Sequence, residues 1–220
     1  MSLCVYDHNL SSEEYTLLVS EQKKFWNTAK SEQIKERLER AILFRYLKSE
    51  SNPYFSYRIE KTIRPDFILM GGSRIGVEIT QLTTESEKVM DRISKDYFGR
   101  GKTAEQIKTD AIKQHGRKAK MFSYTDLGEI QAIGSPVYNI KKKKKAFAEQ
   151  IENKYHKYQA EIPRFDSFII LADGQADMGL TSQADIDDVY NEVKKNEPRI
   201  SEVTVIILWN DSNRDYISEY

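Results

Sequence analysis

Asp66 and Glu78 are the residues of this sequence whose type and spacing point most directly to chemistry. The runs Arg64-Pro65-Asp66-Phe67-Ile68-Leu69-Met70 and Ile75-Gly76-Val77-Glu78-Ile79-Thr80-Gln81-Leu82 flank Gly71-Gly72-Ser73. Two β-prone runs joined by a glycine turn form a hairpin. With the turn centred on Gly72, facing residues carry numbers that sum to 144, so Asp66 lies opposite Glu78. Directly opposed side chains of an antiparallel pair share one face. Like charges so placed destabilise a sheet, which leads us to expect a cation between them, and hard carboxylate oxygens suit Mg²⁺ or Mn²⁺.

The elements that must carry this pair follow from hydrophobic period and from breakers. Ser11 with Glu14 resembles a capping box, and the Glu-, Lys- and Leu-rich stretch after it, without Pro or Gly to Lys48, predicts a helical region over 12–49. Asn52-Pro53 ends it, and residues 54–62 alternate as a strand ahead of the hairpin strands near 66–70 and 75–82. Residues 84–136 are polar and glycine-bearing, with one helical pattern near Thr103–Lys113, and read as an insertion. A helix over 137–159, a buried strand over 164–172, a helix over 184–195 capped by Thr181 or Ser182, and a buried strand over 203–209 complete the series. Uninterrupted apolar strands separated by helices require crossovers, hence an α/β fold with a central mixed sheet flanked by helices. At 220 residues with 39% hydrophobic content, one domain is expected, made of the helical N-terminal region and a core over 50–220.

An α-β-β-β-α-β core with Pro65-Asp66 opening the second strand and Gly76-Val77-Glu78-Ile79-Thr80 in the third resembles the PD-(D/E)XK nuclease superfamily, over roughly Glu32 to Ala172. The resemblance implies a restriction-endonuclease-like fold and metal-dependent hydrolysis of phosphodiester bonds, of DNA in the first instance. It assigns the metal (Mg²⁺ or Mn²⁺) to Asp66, Glu78 and the Ile79 carbonyl. It also implies a helical acid, for which Glu36 and Glu39 are candidates; Glu39, with Ile42, Leu43 and Tyr46 as helical neighbours, is taken as the assisting catalytic residue.

The sequence departs from the family at position 80, where Thr80 replaces the motif lysine. A hydroxyl cannot supply the positive charge that stabilises developing negative charge. A lysine on the following helix is a known variation. There Ile140, Phe147, Ile151, Tyr155 and Tyr158 form one stripe, and Lys144 falls inside it with Lys141 at its edge. An unpaired buried ammonium is costly, so Lys144 is read as the lysine facing the carboxylates; the alternative is that it snorkels to solvent.

The formal net charge of zero hides an asymmetry. Twelve Lys and Arg against four acids give 100–145 a charge of +8, and five against thirteen give 160–220 a charge of −8. The basic block, with Arg117, Lys118, Lys120 and Lys141, is a candidate phosphate-backbone surface, or else a solvated face balancing an acidic neighbour. Nucleic acid is thus the expected partner, with a homodimer as a possible assembly. A single cysteine, Cys4, excludes an intramolecular disulfide and favours a cytoplasmic setting. No apolar run is long enough for a membrane span. His8, His115 and His156 have no zinc-ligand spacing, and the glycine-rich stretches lack the phosphate-loop pattern. The reading of another class is a catalytically inert nuclease-fold protein that binds nucleic acid or protein; a toxin or immunity-type interaction protein fits the size without a motif of its own.

Overall fold

The computed structural model describes residues 4–6, 32–47, 52–54, 57–127, 130–134, 140–174, 180, 182–210 and 215–220. They form two compact units, one from Met1–Leu82 with Lys144–Tyr220, the other from Thr83–Lys143.

The larger unit is built on a seven-stranded mixed sheet. In chain order it contains β1 (Cys4–Tyr6), α1 (Glu32–Leu47), β2 (Arg58–Lys61), β3 (Phe67–Met70) and β4 (Arg74–Gln81). The smaller unit holds α2 (Glu85–Tyr97), α3 (Ala104–His115), α4 (Arg117–Lys120), β5 (Ser123–Leu127) and β6 (Ile130–Gly134). Then follow α5 (Ile140–Tyr158), β7 (Ser167–Asp173), α6 (Gln183–Asn196), β8 (Thr204–Asn210) and β9 (Asp215–Glu219). The sheet order is β1-β2-β3-β4-β7-β8-β9. Strands β1 to β4 pair antiparallel, β4, β7 and β8 are parallel, and β9 returns antiparallel.

Strand period explains how the sheet is covered. On one face Ile75, Val77 and Ile79 of β4 join Ile169, Leu171, Ile206 and Leu208 in a core with Ile42, Leu43 and Leu47 of α1. On the other, Phe168, Ile170, Ala172, Val205 and Ile207 pack with Phe147, Ile151 and Tyr155 of α5 and Ile186, Val189 and Val193 of α6. The central strands therefore read as continuous apolar runs because both faces are buried, each large aliphatic side chain contributing about 1.5–3 kcal/mol. Gly76 has no side chain for a steric reason: a Cβ there would lie 2.7 Å from the Phe168 ring. Ser182 caps α6 by accepting from the Asp185 amide, as its type predicts.

Two expectations need correction. The stretch read as a polar insertion with one helix contains three helices and a hairpin around its own core of Val89, Ile93, Ile107, Ala111, Ala119 and Phe122. The sequence does carry the pattern, since Val89, Ile93 and Tyr97 recur every fourth residue among polar ones. Of the strand expected over 54–62, Arg58–Lys61 forms β2, Tyr54, Tyr57 and Thr62 lie outside it, and 55 and 56 are outside the described residues. Of the helical region over 12–49, residues 12–31, 48 and 49 lie outside the described residues.

Candidate active site

The hairpin register is the expected one. Phe67 faces Val77, Ile68 faces Gly76 and Leu69 faces Ile75, each pair summing to 144. Phe67 is the first residue of β3, whereas β4 runs on through Glu78–Gln81 with β7 alone beside it. The sheet thus has a notch at the start of β3, and Asp66 sits at its lip. Its Oδ2 accepts a hydrogen bond from the Ile79 amide at 2.9 Å, replacing the ladder partner that β3 no longer supplies. The amide and carbonyl of one strand residue point to the same edge, so the Ile79 carbonyl faces the notch as well.

Glu78 is only 1% exposed. Its Oε2 accepts from the Asp66 amide at 3.3 Å, its Oε1 accepts from Lys154 Nζ of α5, and the Tyr158 hydroxyl, one turn further along, also bonds it. Burial, reinforced by the charge of Asp66, raises the Glu78 pKa above the usual carboxylate range, although Lys154 and Tyr158 pull the other way. Burial and then the Glu78 charge hold the Tyr158 phenol well above its ordinary value, so it remains a donor.

The α1 side of the notch is also charged. Lys61 Nζ lies 2.8 Å from Glu39 Oε2, 3.6 Å from Asp66 Oδ1 and 4.6 Å from the centre of the Phe67 ring. Glu39, Lys61 and Asp66 are each more than nine-tenths buried. Lys35 Nζ stands 3.3 Å from Glu39 Oε1, and the charge of Glu39, with smaller contributions from Asp66 and Glu78, raises the Lys35 pKa. Lys35, Glu39 and Asp66, with Glu78, border a cleft of about 270 Å³ whose walls also carry Arg64, Thr80 and Lys157, while Lys61 reaches Glu39 and Asp66 from outside the lining.

Asp66, Glu78, Ile79 and Glu39 are therefore brought together in one place. Lys144 is not: its ammonium bonds Asp185 at 2.6 Å and Asp188 at 2.7 Å, both on α6. The reason is angular. Lys144 lies at the centre of the α5 stripe, which packs on α6, while Lys154 lies at the stripe's other margin, three residues after Ile151 and four before Tyr158, which turns it toward β4. That spacing is legible in the sequence, although Lys154 stands apart from the Lys141–Lys145 run. Lys61, two residues from Ile59, shares its buried face of β2, and only the packed partners Glu39 and Asp66 show what a lysine does there. Glu36 pairs with Arg40 one turn along α1. Arg117, Lys118, Lys120 and Lys141 are exposed and belong to the smaller unit.

No protein-family model, curated protein or solved structure matches this chain. Among the described residues no three His, Cys, Asp or Glu gather as a metal-holding group. Mg²⁺, however, is commonly held by one or two carboxylates, with water and substrate phosphate completing its octahedron. Asp66 and Glu78, linked through the Asp66 amide, and an edge carbonyl offer only hard oxygens, the donor type such an ion takes. Among the described residues no helix is long and apolar enough to cross a membrane.

Proposed function

We propose that this protein is a metal-dependent nuclease with a restriction-endonuclease-like core, cleaving phosphodiester bonds of nucleic acid, with DNA as the first substrate to test. The observation that carries the reading is the buried meeting of Asp66 and Glu78 at the notch, with Lys154 on Glu78. Asp66, Glu78 and the Ile79 carbonyl would hold Mg²⁺ or Mn²⁺. Such an ion supplies Lewis acidity at a phosphoryl oxygen and lowers the pKa of bound water.

The chain's own residues do the rest. Lys154 holds the Glu78 carboxylate in place and brings to the cleft the positive charge that Thr80 lacks. Fixed cations in a site of low water content stabilise charge that develops on a phosphate far better than they would in bulk water. Arg64 and Lys157 on the same walls attract and orient the phosphodiester. Tyr158 keeps its proton and supports Glu78 as a hydrogen-bond donor.

A second reading, the inert nuclease-fold binding module, is favoured by one observation: both carboxylates already have lysines against them. One experiment separates the two. The protein is incubated with Mg²⁺ or Mn²⁺ and with duplex DNA, single-stranded DNA and RNA, alongside the Asp66→Asn variant, which keeps an acceptor for the Ile79 amide. Cleavage that needs the metal and is lost in the variant supports the nuclease. Binding without cleavage of any of the three supports the module.

A further inference from the structure

The geometry points to a site for one divalent cation and not two, with Lys61 serving as the fixed positive charge where a second ion would otherwise sit. This rests on the metal-dependent reading above. The charges of the notch alternate along a line. Lys35 meets Glu39 at 3.3 Å, Glu39 meets Lys61 at 2.8 Å, and Lys61 meets Asp66 at 3.6 Å. From the other end Lys154 meets Glu78. Among the described residues of this line, only the junction of Asp66 with Glu78 sets two like charges side by side. The junction of Glu39 with Asp66, two buried carboxylates that could bridge a second ion, is filled by the Lys61 ammonium.

Space and charge both support this assignment. A hard cation binds carboxylate oxygens at about 2.1 Å and a paired ion sits roughly 3.5–4 Å from the first. An ion between Glu39 and Asp66 would therefore have to occupy the volume of Lys61 Nζ, which is buried, bonded to Glu39 and seated over the Phe67 ring. Along this line Glu39, Asp66 and Glu78 are balanced by Lys35, Lys61 and Lys154, so no net negative charge is left over to call for a second ion. A second divalent cation would add two further positive charges to a mostly buried site with no carboxylate free to offset them.

Electron paramagnetic resonance of the full chain titrated with Mn²⁺ tests this without reference to activity. The expected result is one Mn²⁺ per wild-type chain, with the six-line spectrum of an isolated ion. Lys61→Ala, shown by circular dichroism to be folded, is expected to bind two, with the broadened spectrum of a spin-coupled pair. Two coupled ions in the wild type overturn the inference while leaving the metal-dependent reading intact. A folded Lys61→Ala that still binds one ion overturns it too. No Mn²⁺ on the wild type removes the metal site itself. If Lys61→Ala does not fold, Lys61→Gln, which is neutral and can still hydrogen-bond Glu39, takes its place with the same expected outcomes.

Discussion

Replacing Glu78 with glutamine should make the metal-free protein more stable, and increasingly so as the pH rises. The folded pKa of Glu78 is raised above its ordinary 4.5 by burial and by Asp66, more than Lys154 and Tyr158 offset. A group with a raised folded pKa contributes stability that is complete below the unfolded pKa and is lost as pH rises through the folded pKa. Glutamine, close in shape to the protonated acid, does not undergo that loss, and its amide oxygen still accepts from Lys154. The stability difference between Glu78→Gln and wild type should be small at pH 4. Between the two pKa values it should climb by up to about 1.4 kcal/mol per pH unit, or roughly 3–5 °C in Tm for a chain of this size, and level off above. Thermal unfolding of both proteins in EDTA from pH 3.5 to 8 measures the curve. Mn²⁺ at about a hundred times its Kd should then stabilise the wild type by about 2.7 kcal/mol and the variant far less, reversing the difference at neutral pH. A difference that is flat or falls with pH would refute the balance of burial over Lys154 on which the site is argued.

The two lysines of α5 should separate cleanly. Lys154→Met leaves the buried Glu78 charge without its ammonium and should cost about 1–2 kcal/mol, less than a fully buried pair because Lys154 is a quarter exposed, and should abolish cleavage. Lys144→Ala, which breaks a pair with Asp185 and Asp188 nearer solvent, should cost at most about 1 kcal/mol and leave Mn²⁺ affinity unchanged in a binding titration. If Arg117, Lys118 and Lys120 contact phosphates, replacing all three with alanine should weaken binding equally for unrelated sequences and lower the slope of log affinity against log salt by about 3. A slope unchanged in a fluorescence-anisotropy titration would assign those charges to solvated surface.

What the sequence disclosed is what has a short period or a strong breaker. The register of the Asp66–Glu78 hairpin could be counted because a strand alternates every two residues and Gly71-Gly72 fixes the turn, so a slip of one residue would have buried the wrong face. Helices on both faces of the sheet followed from the unbroken runs Phe168–Ala172 and Val203–Trp209. The site's cations were harder to place. Helical period put Lys144 and Lys154 on the same side of α5, but an angular offset of tens of degrees sends one to α6 and the other to Glu78, and only the packed partners define that offset. Lys61 depends on α1 and β2 meeting, a contact between residues 22 positions apart that no local pattern encodes. The core of the smaller unit leaves a faint pattern because its few apolar residues are spread thinly among charged ones.

The hydrogen bond from the Ile79 amide to Asp66 gives the notch an internal reporter. The ladder amides of β4 are held by neighbouring backbone and exchange only when the sheet opens, whereas the Ile79 proton is held by a side chain. Its rate of hydrogen–deuterium exchange and its amide chemical shift will therefore follow the position and ionisation of one carboxylate. A ligand that draws Asp66 away from the strand edge will free this single proton while its ladder neighbours remain protected. Spectroscopy at one backbone position can thus register occupancy of the cleft even in variants that perform no chemistry.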